Sequence, residues 1–167
     1  GIGVNHKSAL VAVREKLAFP PEAMTSSLQD LTAVEGVQEA VIVSTCNRSE
    51  IYALLADQQP VETLVDWLCQ SRGLSRHTLD ECLYVHEDRA MVEHLMRVAS
   101  GLDSLVLGEP QILGQIKQSY QLSREAGVLG KTLNRLFQHV FKAAKQIRTE
   151  TAISSNPVSV AFAAVSL

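Results

Sequence analysis

Apolar residues recur along this chain with two different periods, and the change from one to the other divides it. Ile2 to Asn5 is a short run that predicts a strand. Pro21 to Val34 predicts a helix, with prolines at the start and Gly36 beyond the end. Val37 to Ser44 is rich in β-branched residues and reads as a buried strand, with Glu50 to Leu55 as its neighbour after a polar turn. Val61 to Ser71 predicts an amphipathic helix ended by Gly73, followed by a short helical piece capped by Ser75 and a last strand from Cys82 to Val85. The order strand, helix, strand, strand, helix, strand is that of the split βαβ, and predicts an α+β, ferredoxin-like sandwich.

Beyond Asp88 the period-two pattern stops. Asp88 is placed to cap a helix running to Gly101, Pro110 suits the first turn of a second helix to Ala126, and Gly127 and Gly130 bracket a turn before a third, Thr132 to about Thr149. Asn156-Pro157 interrupts the pattern before a final apolar stretch with no polar stop, so the chain reads as a piece of a longer protein cut within a helix. The expected organisation is a ferredoxin-like unit at 1–87, a helical bundle subdomain at 88–151 lying on or beside the sheet, and the start of a linker helix at 152–167.

The third helix separates its chemistry by face. At about 100° per residue, Leu133, Leu136, Phe137, Val140, Phe141, Ala144 and Ile147 share one side, and Lys131, Arg135, Lys142 and Lys145 gather on the other. That basic stripe is either a solvated surface or a contact for a phosphate backbone.

Composition narrows the class. The 167 residues are long enough for one domain or two small ones sharing a core. A formal charge of −3 gives no overall basic field, so any nucleic-acid contact must be local. Cys46, Cys69 and Cys82 have no CxxC spacing and an odd count, the pattern of reduced cytosolic thiols. No apolar run approaches a membrane span and no signal peptide opens the chain, so a cytoplasmic protein is expected. His6, His77, His86, His94 and His139 make no metal-ligand spacing, and no metal is expected. Gly1-Ile2-Gly3 lacks the third glycine of a dinucleotide turn, where His6 stands.

Three features carry candidate chemistry. Cys46 lies just past the strand Val41 to Val43, either as a small packed residue or as a nucleophile held at a fixed strand end. Arg48 lies two residues on; if the segment is extended, both side chains point to one side, where a guanidinium favours thiolate and grips a carboxylate. His94 borders the apolar face of its helix, as an interfacial residue or a functional one. The connection from Ser100 to Gln111 is apolar yet carries Asp103, Ser104, Glu109 and Gln111, as a packed Ω-like loop or a pocket wall.

The segments Gly3-Val4-Asn5-His6-Lys7, Ser44-Thr45-Cys46-Asn47-Arg48-Ser49-Glu50 and the continuous run from His94 to Gln115 resemble the N-terminal catalytic domain of glutamyl-tRNA reductases. The resemblance covers essentially the whole chain. It implies an NADPH-dependent oxidoreductase of tetrapyrrole (porphyrin, 5-aminolevulinate) biosynthesis that reduces glutamyl-tRNA to glutamate-1-semialdehyde through a cysteine thioester. It further implies Cys46 as nucleophile, His94 as acid or base, and a substrate pocket of Thr45, Asn47, Arg48, Ser104, Glu109, Pro110, Gln111 and Gln115. NADPH and homodimerisation belong to domains absent from this chain, so the fragment is expected to be a monomer capable of acyl transfer but not hydride transfer. The aminotransferase acting on glutamate-1-semialdehyde is a further implied partner. A non-enzymatic ferredoxin-like RNA-binding module is the main alternative, although Tyr52 and Tyr84 are the only strand aromatics. A thiol redox sensor would need a resolving partner for Cys46 that spacing does not supply.

Overall fold

Val41, Ile42 and Val43 are all apolar because both faces of their strand are covered. In the computed structural model, which describes residues 1–154, four strands form one antiparallel sheet: β1 (Ile2–Asn5), β2 (Val37–Ser44), β3 (Arg48–Leu55) and β4 (Tyr84–Val85), in the order β2-β3-β1-β4. Helices α1 (Val11–Leu17), α2 (Pro21–Ala33), α3 (Glu62–Arg72) and α4 (Arg76–Asp80) come from the first half, and α5 (Asp88–Ala99), α6 (Gln111–Glu125) and α7 (Lys131–Glu150) from the second. A single 3₁₀ turn, Ala152–Ser154, follows.

Two cores share the sheet. Ala40, Ile42 and Ile51 point to the side packed by Leu28, Leu31, Leu64 and Leu68 of α2 and α3. Val41, Val43 and Tyr52 point the other way, onto Leu95, Ile116, Phe137 and Val140 of the last three helices. The period-two alternation of β2 therefore serves two apolar surfaces at once. Helices α5 to α7 thus lie on the sheet rather than beside it.

A carboxylate joins these halves. Glu39 of β2 is buried, and its two oxygens accept from the backbone N–H groups of Thr132 (3.1 Å) and Leu133 (2.8 Å) at the start of α7. These amides have no partner within the helix, so a strand residue caps a helix that begins more than ninety positions later. Gly130 is required beside it, since a Cβ there would lie 2.6 Å from the Glu39 carboxyl carbon. Glu39→Ala is expected to lower unfolding free energy by about 1–2 kcal/mol, read as a shifted urea midpoint; an unchanged midpoint would show the cap to be idle.

Several boundaries differ from the sequence expectation. Helix α1 was not foreseen; of its residues only Leu17 is buried, so seven residues lying on the surface leave no periodic signal. β3 begins at Arg48 instead of Glu50, and β4 at Tyr84 instead of Cys82. Asp88 is the first residue of α5, not its cap, and that helix stops at Ala99. Pro110 is the residue before α6, not within its first turn. Ser75 does cap α4, its Oγ accepting from the Thr78 N–H at 3.2 Å. The anticipated final helix falls outside the described residues.

Candidate active site at the β2–β3 hairpin

Cys46 and Asn47 are the two residues at the tip of the β2–β3 hairpin. The Thr45 N–H donates to the Arg48 carbonyl at 2.8 Å, and the Thr45 hydroxyl accepts from the N–H groups of Asn47 and Arg48, both at 3.2 Å. A hydroxyl two and three residues upstream thus replaces a ladder bond and tightens the turn. Two outside contacts hold the tip: Arg14 of α1 donates to the Cys46 carbonyl at 2.8 Å, and the His6 N–H to the Asn47 carbonyl at 2.9 Å. Cys46 is exposed, the only one of the three cysteines that is.

This turn corrects the expectation that Cys46 and Arg48 sit two apart on an extended segment. The chain reverses between them, so Cys46 stays at the tip while Arg48 enters the sheet and is 2% exposed. One narrow cleft nevertheless gathers most of the expected pocket: Thr45, Cys46, Asn47 and Arg48 from the hairpin, Ser104 and Glu109 from the 101–110 loop, Gln111 and Gln115 from α6. Its open space is about 30 Å³, near that of a single water. Pro110 does not line it, although it sets where α6 begins.

Behind the cleft lies a buried charged network. Arg48 donates from one terminal nitrogen to Glu50 Oε1 (2.9 Å) and from the other to the carbonyl (2.7 Å) and carboxylate (3.1 Å) of Asp103. Glu50 also accepts from the hydroxyls of Tyr52 (2.7 Å) and Tyr84 (2.5 Å), and meets His94 Nε2 at 2.7 Å. Burial alone would raise the Glu50 carboxyl, but the His94 hydrogen bond, the charges of Arg48 and His94 and the Tyr52 hydroxyl override it and hold it down at about 2. Burial likewise opposes ionisation of Asp103, and bonds from Lys7 and Arg48 bring it below the usual carboxylate range. Burial followed by the Glu50 charge pushes the Tyr84 hydroxyl up, so it remains a donor. Gly3 makes this geometry possible: paired with both Glu50 and Tyr84, it would place a Cβ 2.6 Å from Glu50 Cγ and 3.1 Å from the Tyr84 ring.

His94 is not in the cleft. It lies in a separate cluster with Glu50, Tyr52, Tyr84, His86 and Met91, its ring 4.5 Å from that of His86 and 5.2 Å from that of Tyr84. Expected to act as acid or base at the nucleophile, it is connected to the Cys46 side through Glu50 and Arg48. The guanidinium, expected to be free for a substrate carboxylate, already bridges two protein carboxylates, because burying it without them would be prohibitive.

The 101–110 loop is held from three directions. Asp103 takes Arg48 on one side and Lys7 on the other at 2.7 Å, and Arg148 of α7 donates to the carbonyls of Gly108 (3.1 Å) and Glu109 (3.2 Å). Lys7, Arg14, Glu50 and Tyr84 were not assigned roles from the sequence, and Asp103, read as part of a pocket wall, is bonded to Arg48 and Lys7 instead. Glu50 carried a usable signal: with Arg48 and Tyr52 it occupies one face of an otherwise apolar strand, where a carboxylate demands donors. Lys131, Arg135, Lys142 and Lys145 are all exposed along α7, and none of them lines the cleft. Among the described residues no cluster of histidine, cysteine and carboxylate side chains has a metal-binding arrangement, and no helix is long and apolar enough to cross a membrane.

Comparison with known proteins identifies a family. Residues 2–151 match the family model described as Glutamyl-tRNAGlu reductase, N-terminal domain. The chain is 56% identical over 165 residues to a glutamyl-tRNA reductase of Nitrosococcus oceani and 58% identical over 166 residues to one of Pseudomonas fluorescens. In each case 99% of the chain is covered but only 39% of the relative, so the chain spans about two fifths of their length. A solved glutamyl-tRNA reductase from Methanopyrus kandleri superposes with a TM-score of 0.81 at 33% identity, over 99% of this chain and 38% of that one.

Proposed function

Since this chain belongs to the family of glutamyl-tRNA reductase N-terminal domains, we propose that it is the acyl-accepting half of an NADPH-dependent reductase that converts glutamyl-tRNA to glutamate-1-semialdehyde for tetrapyrrole synthesis. The observation that carries this reading is the cleft in which an exposed hairpin cysteine meets Thr45, Asn47, Ser104, Glu109, Gln111 and Gln115.

An aminoacyl ester is already activated. The Cys46 sulfur attacks its carbonyl carbon, a C–S bond forms, the C–O bond to the tRNA 3′ end breaks, and that oxygen leaves with a proton. Thr45 and Arg14 hold the tip still during attack, and the amides and hydroxyl of the cleft orient the glutamyl group. Arg48 serves as the fixed positive floor of the cleft. His94 contributes by holding Glu50, which holds Arg48 in turn, and is a positioning residue. Reduction would require hydride from NADPH, which we assign to the part of the relatives' length that this chain does not cover; dimerisation is assigned there too, with this chain by itself a monomer. The product aldehyde passes to glutamate-1-semialdehyde aminotransferase, and the setting is cytoplasmic.

The sheet order, with β3 lying between β1 and β2, supports a ferredoxin-like unit over residues 1–87, and the second core supports a helical unit over 88–151.

Incubation with glutamyl-tRNA labelled in the glutamyl group, followed by acid quench, is expected to leave label on the protein that neutral hydroxylamine removes, as it does from thioesters. Absence of acid-stable label would reject the reading.

A further inference from the structure

Charge is distributed unevenly over this molecule. Residues 111–150, the helices α6 and α7 with their connection, hold seven Lys and Arg against two Glu; the remaining residues hold eight against sixteen carboxylates. A chain of net charge −3 thus carries a helical hairpin of formal charge about +5 on an acidic body. Six of those cations, Lys117, Arg124, Lys131, Arg135, Lys142 and Lys145, are exposed, and none makes an ion pair among the described residues. Repulsion among them is tolerated on a surface only because each is solvated, which is also what makes them available to an anionic partner.

The hairpin also holds a groove of about 560 Å³ between its helices, lined by Tyr120 and Arg124 of α6 and by Lys131, Asn134 and Gln138 of α7. Its polar groups are preset: the Tyr120 hydroxyl donates to Asn134 Oδ1 at 2.5 Å and accepts from Gln138 Nε2 at 3.0 Å. Each amide keeps its other end free among the described residues, a donor at Asn134 and an acceptor at Gln138. Two cations beside a fixed donor and acceptor match one nucleotide, phosphate on the first pair and sugar or base edge on the second.

Helix α6 connects this groove to the cleft. It begins at Gln111 and Gln115, which line the Cys46 cleft, and reaches Arg124 thirteen positions on, about 20 Å away along its axis. The solvent-facing positions along this stretch, Gly114, Lys117, Gln118 and Gln121, are neutral or cationic, so nothing along the way repels a phosphate.

We propose that the groove between α6 and α7 seats a nucleotide of the substrate tRNA upstream of its 3′ end, with phosphates on Arg124 and Lys131 and ribose or base on Asn134 and Gln138. This rests on the glutamyl-tRNA reading above and adds a second anchoring point on this chain. An acidic protein would satisfy the cations but would leave the amide pair unused.

The test is fluorescence anisotropy of labelled tRNA with the complete chain over a salt series. Arg124→Ser combined with Lys131→Ser is expected to weaken binding roughly tenfold and to lower the slope of log K against log salt by about two. Gln138→Ala should weaken binding severalfold with the slope unchanged, and Lys16→Ser, on the acidic body, should change neither. Unchanged affinity and slope in the double variant would overturn the proposal, as would polyglutamate competing as well as tRNA together with an inert Gln138→Ala. Acyl labelling of Cys46 with unaltered tRNA binding would reject the groove alone; a wild-type chain that neither labels nor binds tRNA would reject both readings.

Discussion

Replacing Cys46 by serine is expected to remove covalent glutamyl transfer, lowering the labelling rate by at least roughly a thousandfold, while Cys69→Ser and Cys82→Ser label like the wild type. The three thiols differ in setting, not in kind. Cys46 stands exposed at a turn fixed by Thr45 and Arg14. Cys69 lies on α3 and Cys82 between α4 and β4; burial pushes both thiols up, and the Cys82 sulfur is engaged with the Thr78 carbonyl at 3.3 Å. Attack needs an accessible sulfur beside groups that hold an acyl chain, and of the three cysteines only Cys46 combines them. Circular dichroism of Cys46→Ser should match the wild type, because an exposed tip residue contributes little to packing. Equal labelling of Cys46→Ser and wild type would exclude Cys46 as the acceptor.

The second large effect is on stability. Arg48→Ala leaves Glu50 ionised, fully buried and deprived of its guanidinium, which is expected to cost about 3–5 kcal/mol. For a domain of this size that corresponds to a fall of ~10 °C or more in melting temperature. Arg48→Ala with Glu50→Gln should be less destabilised than the two single changes added together, since the pair fails as a unit. The same network sets a pH dependence. The Glu50 carboxyl is depressed in the folded state, so its stabilisation is complete above the ordinary value of 4.5 and is lost as pH falls toward about 2. Glu50→Gln should therefore flatten acid unfolding in that window. A wild-type melting temperature in Arg48→Ala would mean that the buried ion pair contributes nothing net.

The strands and long helices were legible from strong local signals: the β-branched β2 run, the prolines and Gly36 that bound α2, and the two faces of α7 stand within one or two residues of their predicted limits. The cleft was legible because its members come from two segments that the family resemblance singles out together. The local geometry was not. Whether Cys46 and Arg48 share a side depends on a turn made by a threonine hydroxyl, and linear spacing says nothing about that. The position of His94 behind Glu50 depends on α5 packing across β3, and Asp103 finds Arg48 and Lys7 only after the sheet has formed. Long-range polar partners of this kind leave no periodic trace; the legible hint is an ionisable residue inside an apolar strand.

The Glu39 cap bears on how the chain acquires its structure. α7 receives its terminal acceptor from β2, and the core it completes includes Val41, Val43 and Tyr52, so α7 has no cap, and the last three helices have no floor, until the sheet exists. Such contacts between distant parts of the sequence slow the approach to the native state, because a large loop must close before they reward it. The sheet with α2 and α3 is the expected early structure, and α5 to α7 condense onto it afterwards. Thermal melting should then be one cooperative transition rather than two, and the excised 88–151 segment should remain an unfolded or weakly helical peptide.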